Sequence, residues 1–516
     1  MEELKGISMS VVVPPIRISL CNNRPLNHEG DFVLYWMIAN RRIDSNYSLQ
    51  RAVEYSVELK KPLVIFEALR INYPWASQRF HKFVIDGMKD NANAIELLGN
   101  NGVLYYPYLE PKHGDQKGLL ESLAKRSCVV VTDDFPAFFI PAMIRLASNQ
   151  IPVRFEKVDS NGILPMRSTD RVFTTAFSFR AYLHNNLRDH LSDFPKQNPL
   201  SGIDLPKFTD LSKKITDKWP SALPILRSKD DKFLKALDID HTVKESFIVG
   251  GSKSAKKSLD LFLKSNLIQY KDLGNDPDEN VRSELSPYLH FGHISSHHVF
   301  KQIVKQEEWN PSHLSAKGGG KREGWWNMSP AAEAFLDQLI TWREIGYNMC
   351  SKTLDYDRYD SLPSWAKVSL NKHAQDKRSF VYSLEEFQSC KTHDALWNAA
   401  QNQLNNEGRI HNYLRMLWGK KILEWCETPQ EALKVMIELN NKFALDGRNP
   451  NSYSGIFWVL GRYDRPWGPE RRIFGSIRYM SSANTQKKLN VKKYLAKYGV
   501  DSNTQGEFNF SESKPD

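Results

Sequence analysis

The side chains best suited to chemistry in this 516-residue chain are concentrated between Thr392 and Trp467. Five of the thirteen tryptophans fall there (Trp397, Trp418, Trp425, Trp458 and Trp467), among the polar runs His411–Met416 and Leu445–Asn451. A buried indole needs a large volume and a partner for its N–H. Repeating it beside arginine, asparagine and aspartate fits a stacking and cofactor site better than a plain core. Trp418 and Trp425 are seven residues apart and share a helix face across two turns. With Trp397 on the preceding helix they could relay single electrons, or form an aromatic core. Gln338 and Trp342, at i and i+4 on one face, could hold an extruded base by hydrogen bonding and stacking, or Trp342 could be core. In Arg282–Gly292, serines and backbone N–H groups at a helix start could hold an anion such as a diphosphate, or form an ordinary capped turn.

Other chemistries are excluded. No G-x-G-x-x-G follows the first strand and no Walker motif occurs; Gly318-Gly319-Gly320-Lys321-Arg322 lacks the spacing and the Ser/Thr of a phosphate loop and reads as a flexible basic loop. The five cysteines (Cys21, Cys128, Cys350, Cys390, Cys426) are scattered and show no C-x-x-C spacing. That argues against a disulfide framework, a zinc site or an iron–sulfur site, and for an intracellular, reducing compartment: the cytoplasm of a prokaryote, or a nucleus. No metal ligands are expected. Lys and Arg number 70 against 60 Asp and Glu, compatible with nucleic acid or with a solvated positive face. No stretch of 18 apolar residues is present, so no transmembrane helix is expected. Met1–Pro15 fits neither a signal nor a transit peptide.

The elements that must position these residues divide the chain. Apolar runs at Phe32–Ile38, Pro62–Leu69, Gly102–Leu109, Cys128–Thr132 and Val153–Val158 alternate with helical patterns such as Leu49–Leu59 and Phe80–Leu98. This predicts a doubly wound parallel sheet, with ligands outside the carboxyl ends of its strands. Prolines punctuate residues 189–244, as in a long interdomain connection. Helical spacing then dominates, at Ser329–Tyr347, Asp394–Asn405, Gly408–Cys426 and Pro429–Phe443. The expected organisation is an N-terminal extension (1–29), an α/β domain (30–188), a linker (189–244), a helical domain (245–501) and a polar, disordered tail (502–516).

Taken together and in order, these motifs resemble the photolyase/cryptochrome superfamily, most closely class II cyclobutane pyrimidine dimer photolyases, over residues 30–498. The runs that carry the resemblance are Tyr35-Trp36-Met37, Leu285–Gly292, Thr392–Asn398, His411–Trp425, Leu445–Asn451 and Asp464-Arg465-Pro466-Trp467. The resemblance implies a Rossmann-like antenna domain joined to a helical domain that binds FAD and damaged DNA. The activity it implies is light-driven electron transfer from FADH⁻ to the dimer. Tyr270, Ser283, Leu285, Ser286 and Leu289 would lie along the FAD, with Asn412, the Arg415–Asp446 pair, Gly447 and Arg448 bordering the flavin. Asn440 would face flavin N5. Trp418, then Trp397, then Trp425 would re-reduce oxidised flavin from the surface. Trp342, Met416, Trp458 and Gln338 would line the lesion pocket, Arg465 and Trp467 would fill the gap in the duplex, and Arg478 would contact the strand. A second, antenna chromophore of deazaflavin or folate type would sit at the strand ends. A monomer acting on DNA containing pyrimidine dimers, away from membranes, is expected.

Three departures stand out. Gln338 occupies the place of the class II glutamate, and an amide donates a hydrogen bond but supplies no proton. Gly274 stands where an arginine usually precedes Asn275. The loop Lys317–Trp326 is longer and more basic than typical. Alternatives are a cryptochrome-type photoreceptor or a photolyase for another lesion. A short polar stretch after Ser502 argues against the former, and the lack of histidines beside Trp342 and Trp458 argues against (6-4) photoproducts.

Overall fold

The computed structural model of the chain describes residues 9, 11–228, 230 and 232–500. The expectations for the tail at 502–516 and for most of Met1–Pro15 lie outside the described residues. Two compact units are present. One takes in the described residues up to Asp272, with Val281–Ser361 and Leu445–Ser454; the other takes in Leu273–Asn280, Leu362–Ala444 and the described residues from Gly455.

The first unit carries six strands: β1 (Ile18–Leu20), β2 (Phe32–Met37), β3 (Leu63–Leu69), β4 (Val103–Leu109), β5 (Ser127–Asp133) and β6 (Arg154–Val158). They form one sheet in the order β1-β6-β5-β2-β3-β4. β1 pairs antiparallel with β6, and all other pairings are parallel. Every residue of Phe-Val-Leu-Tyr-Trp-Met in β2 is buried, as a strand covered by helices on both faces must be. The five predicted strands agree with β2–β6 to within one residue at either end. β1 lies inside the expected N-terminal extension; three residues are too few to show a pattern.

The expected linker also holds structure. Its prolines break it into short helices (Lys213–Lys218, Leu223–Arg227, Lys232–Lys235), while Leu200, Leu205, Leu226, Leu234 and Leu237 join the sheet's hydrophobic core. The chain steps from β2 outward to β3 and β4, then returns to β5 and β6 on the other side. β2 and β5 therefore flank the switch point, where α/β sheets bind ligands. The turn leaving β2 there is tied down by one carboxylate. Asp133 Oδ2 accepts the N–H groups of Ile38, Ala39 and Asn40 at 2.9, 2.8 and 2.9 Å, and Oδ1 accepts the Tyr35 hydroxyl at 2.9 Å.

Also in this unit, the predicted helix Ser329–Tyr347 is three pieces. Pro330–Leu336 and Arg343–Lys352 are α-helical, and Asp337–Trp342 between them is π-helical. Wider turns of this kind recur at functional sites.

The second unit is helical. Ala395–Glu407 starts where Asp394 accepts the Trp397 N–H and stops at Gly408 in the left-handed conformation. Asn412–Trp425 and Pro429–Phe443 follow, the latter capped by Thr428. The helix Lys492–Tyr498 is anchored to the first of these: Tyr494 donates to Gln403 at 2.7 Å and Tyr498 to Glu407 at 2.8 Å. Among the described residues no helix is long and apolar enough to cross a membrane.

Candidate functional site

In the first unit, a cavity of about 570 Å³ opens at the carboxyl ends of the strands. Trp36, Phe66, Phe135 and Phe139 give it aromatic faces, Arg41, Lys117 and Arg448 give it cations, and Glu110 gives it a carboxylate. Glu110 shapes the rim by accepting the N–H groups of Ile71 and Gly114 at 3.0 and 2.9 Å. A roomy, largely apolar cleft with a few fixed polar groups is the usual form of a small-molecule site. Its position followed from the strand pattern. Arg448, which the resemblance assigns to FAD, lines this cavity: it is buried, with positive φ (61°), and its guanidinium lies 3.4 Å from the Phe80 ring centroid. Burial lowers its pKa to about 10.

The other predicted residues of this unit fall into two groups. Tyr270 is buried beneath the Arg282 guanidinium, which sits 5.3 Å over its ring and donates to its hydroxyl at 3.1 Å. Ser283 is half-buried, Leu285 buried, Ser286 exposed and Leu289 half-buried. The helix they begin, Ser286–His290, has only five residues. Its macrodipole is correspondingly slight, so anion binding there would rest on individual hydroxyl and N–H donors. Asp446 is half-buried and Gly447 buried in the loop before Pro450. Pro450, which opens the next helix, presses on the helix Arg343–Lys352, where a Cβ on Gly346 would lie 2.7 Å from the Pro450 carbonyl oxygen.

Gln338 is exposed and Trp342 half-buried, both on the π-helical segment. The groups that hold that segment were not foreseen. Buried Arg180 grips Asp337 in two-pronged fashion, Nε–Oδ1 2.8 Å and Nη2–Oδ2 3.0 Å, and donates to the Gly320 carbonyl at 3.2 Å. The basic loop Lys317–Trp326 is thus fastened through Arg180 and through Trp325 stacked on His184 at 4.4 Å. The expected flexible loop is pinned at these points. Glu344 accepts the Ile163 and Leu164 N–H groups at 2.7 and 3.1 Å, and burial raises its carboxyl to about 7.

In the second unit, two of the three predicted relay indoles, Trp397 and Trp425, meet ring to ring, and Trp418 joins them through its backbone carbonyl. Trp397 and Trp425 have centroids 5.9 Å apart at 70°, and Trp397 Nε1 donates to the Trp418 carbonyl at 3.0 Å. Trp418 Nε1 donates to Gln401 at 2.8 Å. All three are buried, Trp425 at 2% exposure, so the relay's expected surface end does not itself reach the surface. On the same helix Asn412 is exposed, and Arg415 and Met416 are half-buried. Asn440 is buried and donates to Asn441 at 3.3 Å.

Further along this unit, aromatic rings and cations alternate. Arg478 lies 4.1 Å over Trp467 and 5.8 Å over Trp458, Arg465 lies 5.0 Å over Trp467, and Lys420 lies 4.8 Å over Trp458. Asp464 organises the arm, accepting from Arg478 Nε at 2.8 Å and Trp467 Nε1 at 3.1 Å. Burial acts to raise its carboxyl, but these donors and the Arg465 N–H outweigh it and hold the pKa low. Lys420 was not foreseen, although it stands in the run that carries the resemblance; nothing in a Lys-Lys pair says which member turns inward. It is fully buried, Nζ donates to the Val459 carbonyl at 2.6 Å, and desolvation lowers its pKa to about 7.

No protein-family model matches the chain. A solved class III photolyase from Agrobacterium tumefaciens superposes with a TM-score of 0.62 at 16% identity, covering 91% of this chain and 86% of that one. The fold is therefore that of photolyases. The chain is 30% identical over 480 residues to the deoxyribodipyrimidine photo-lyase of Methanothermobacter thermautotrophicus, covering 93% of this chain and 97% of that one. Identity is also 30% to the enzymes so named from Arabidopsis thaliana (95% and 94% covered) and Potorous tridactylus (92% and 82%). The chain belongs to the deoxyribodipyrimidine photo-lyase family of the photolyase/cryptochrome superfamily.

Proposed function

We propose that this light-dependent DNA-repair lyase splits cyclobutane pyrimidine dimers, using FAD and the residues assigned above. The donor set fits a flavin nucleotide: hydroxyls of Ser283 and Ser286 for a diphosphate, and the amides, guanidinium and carboxylate of Asn412, Asn440, Arg415 and Asp446 for a ring with hydrogen-bonding edges. When bound in its reduced form, FAD supplies the light-excited one-electron donor. Leu285, Leu289 and Tyr270 would pack along the cofactor and exclude water. Residues 30–188 serve as antenna domain and 245–501 as catalytic domain, with the strand-end cavity as the place for a second, conjugated chromophore.

The observation that carries the DNA reading is the cation–indole arm of Trp458, Arg478, Trp467 and Arg465 around Asp464. Photolyases are among the enzymes that turn a target base out of the duplex. Trp458, Trp342 and Met416 would stack on the extruded dimer, at about 1–3 kcal/mol per base. A damaged base costs less to extrude than an intact one. The Gln338 amide would donate to a pyrimidine carbonyl. Arg465 and Trp467 would fill the vacated gap, and Arg478 would meet a phosphate. Lys487, Lys488, Lys492 and Lys493 add positive charge nearby in sequence, so affinity should fall with salt. Trp425, Trp397 and Trp418 would pass an electron inward. The test is illumination of reduced, FAD-loaded protein with a dimer-containing oligonucleotide; no restored thymine refutes the reading.

A further inference from the structure

A buried ammonium lies against the Trp458 indole. The helix Asn412–Trp425 comes so close to the helix Pro450–Val459 that a Cβ on Gly419 would lie 2.6 Å from Val459 Cγ2. Lys420, the next residue, enters the same seam. It is fully buried, its Nζ lies 4.8 Å from the Trp458 ring centroid, and it donates to the Val459 carbonyl at 2.6 Å. Val459 closes its helix, so that carbonyl belongs to the negative end of the helix dipole.

The charged groups that face Lys420 are Asp464 and Arg478. Asp464 is already committed to Arg478 at 2.8 Å, and among the described residues Lys420 makes no ion pair. Burying an ammonium without a carboxylate is destabilising, and methionine would fill the seam without that penalty. A charge kept in such a place, behind a wall of a binding pocket, points to work on what the pocket holds.

The reaction assigned above says what that work is. Before illumination the dimer is neutral. The excited flavin then gives up one electron and the dimer takes it. The dimer carries one negative charge while its two linking carbon–carbon bonds open, and the electron afterwards returns to the flavin. A cation fixed in advance beside developing negative charge lowers the energy of the charged state without reorganisation, most strongly where water is excluded. We propose that the Lys420 ammonium, held against Trp458, stabilises the negative charge that the dimer carries between arrival and return of the electron, an inference that rests on the lesion-pocket assignment of Trp458. Lys420 acts across the indole without touching the dimer, so it is a positioning residue. Desolvation lowers its pKa to about 7, so the charge is present below that pH and lost above it. Phosphates of a bound duplex favour the charged form and move the step upward.

The test uses the full chain with reduced FAD and enough protein to bind all of a dimer-containing duplex. The rate at which bound dimer quenches the excited flavin should fall on the order of fivefold in Lys420→Met. Wild type should show the same fall as a single step between about pH 7 and about pH 9, and Lys420→Met should show no step. Glu344 also titrates near pH 7, so a step that survives in Lys420→Met belongs to another group and overturns the proposal. In the dark the dimer is neutral, and affinity for the duplex should stay within about twofold of wild type. A lysine that only braced Trp458 or capped its helix would weaken dark binding and leave the quenching rate and its pH profile unmoved; that outcome also overturns the proposal. No dimer-dependent quenching in wild type overturns the repair reading with it. A further readout needs neither light nor DNA: carbon NMR of the holoprotein labelled at lysine Cε should show one lysine titrating near pH 7 that is missing from Lys420→Met. Its absence from wild type refutes the titrating charge.

Discussion

Replacing Lys420 by methionine should change how stability depends on pH. Desolvation brings the ammonium pKa down from 10.5 to about 7. The folded-state value lies below the unfolded one, so between about pH 7 and about pH 10.5 the unfolded chain binds the extra proton and stability rises with pH. Taken whole, that displacement is worth about 5 kcal/mol. The Trp458 face, 4.8 Å from Nζ, favours the charged form and offsets about 2 kcal/mol of it. Between about pH 7 and about pH 9, wild type should therefore gain about 1–2 kcal/mol relative to Lys420→Met. Methionine fills similar space without a charge, so near neutral pH the variant should be the more stable, by about 1–3 kcal/mol after the Val459 carbonyl loses its donor. Urea midpoints taken across this pH range, at constant slope against denaturant, measure the difference. Parallel curves for the two proteins would show that burial does not lower the Lys420 pKa.

Other outcomes follow from the site. Gln338→Glu should alter repair yield several-fold, about 1 kcal/mol in barrier, with FAD retention unchanged; an unchanged yield would mean that position 338 does not touch the lesion. Trp418→Phe should block photoreduction of oxidised flavin while costing far less repair when the protein is reduced chemically, and normal photoreduction would disprove the relay. Asp464→Asn releases Arg478, whose side chain is 41% exposed, so affinity for dimer-containing duplex should weaken by only about 1 kcal/mol, within roughly tenfold. A larger loss would give Asp464 a role beyond positioning that arginine. An absorption spectrum of purified protein should show bands beyond those of flavin if the strand-end cavity holds a chromophore.

The parallel strands were legible because burial on both faces leaves continuous apolar runs such as Val129–Val131, and β-branched residues mark them. β1 was not: Ile18-Ser19-Leu20 takes its meaning from the edge of β6, a partner more than a hundred residues away. The prolines of residues 189–244 announced interruptions but hid the packing, since isolated leucines at 205, 226 and 234 have no periodicity. The packing of Trp397 against the helix Asn412–Trp425 was legible from the spacing of Trp418 and Trp425 and a helix break at Gly408. The π-helical turn was not, because Asp337–Trp342 keeps the apolar spacing of an ordinary helix and differs in backbone hydrogen bonding. Arg180 and Lys420 act through partners brought close only by folding, and no local pattern distinguishes them from solvated side chains.

Gly346 has a mechanical consequence. With 2.7 Å between its would-be Cβ and the Pro450 carbonyl oxygen, the helix behind Gln338 and Trp342 meets Pro450, the residue that opens the helix after Asp446–Arg448, with no slack. Neither can slide inward, and Glu344 fixes the same helix to the stretch after β6. The hydrogen at position 346 acts as a spacer of fixed thickness. A displacement at Pro450 is handed to the helix that follows Gln338 and Trp342 instead of being absorbed, so even an added methyl would push apart the two helices that meet there.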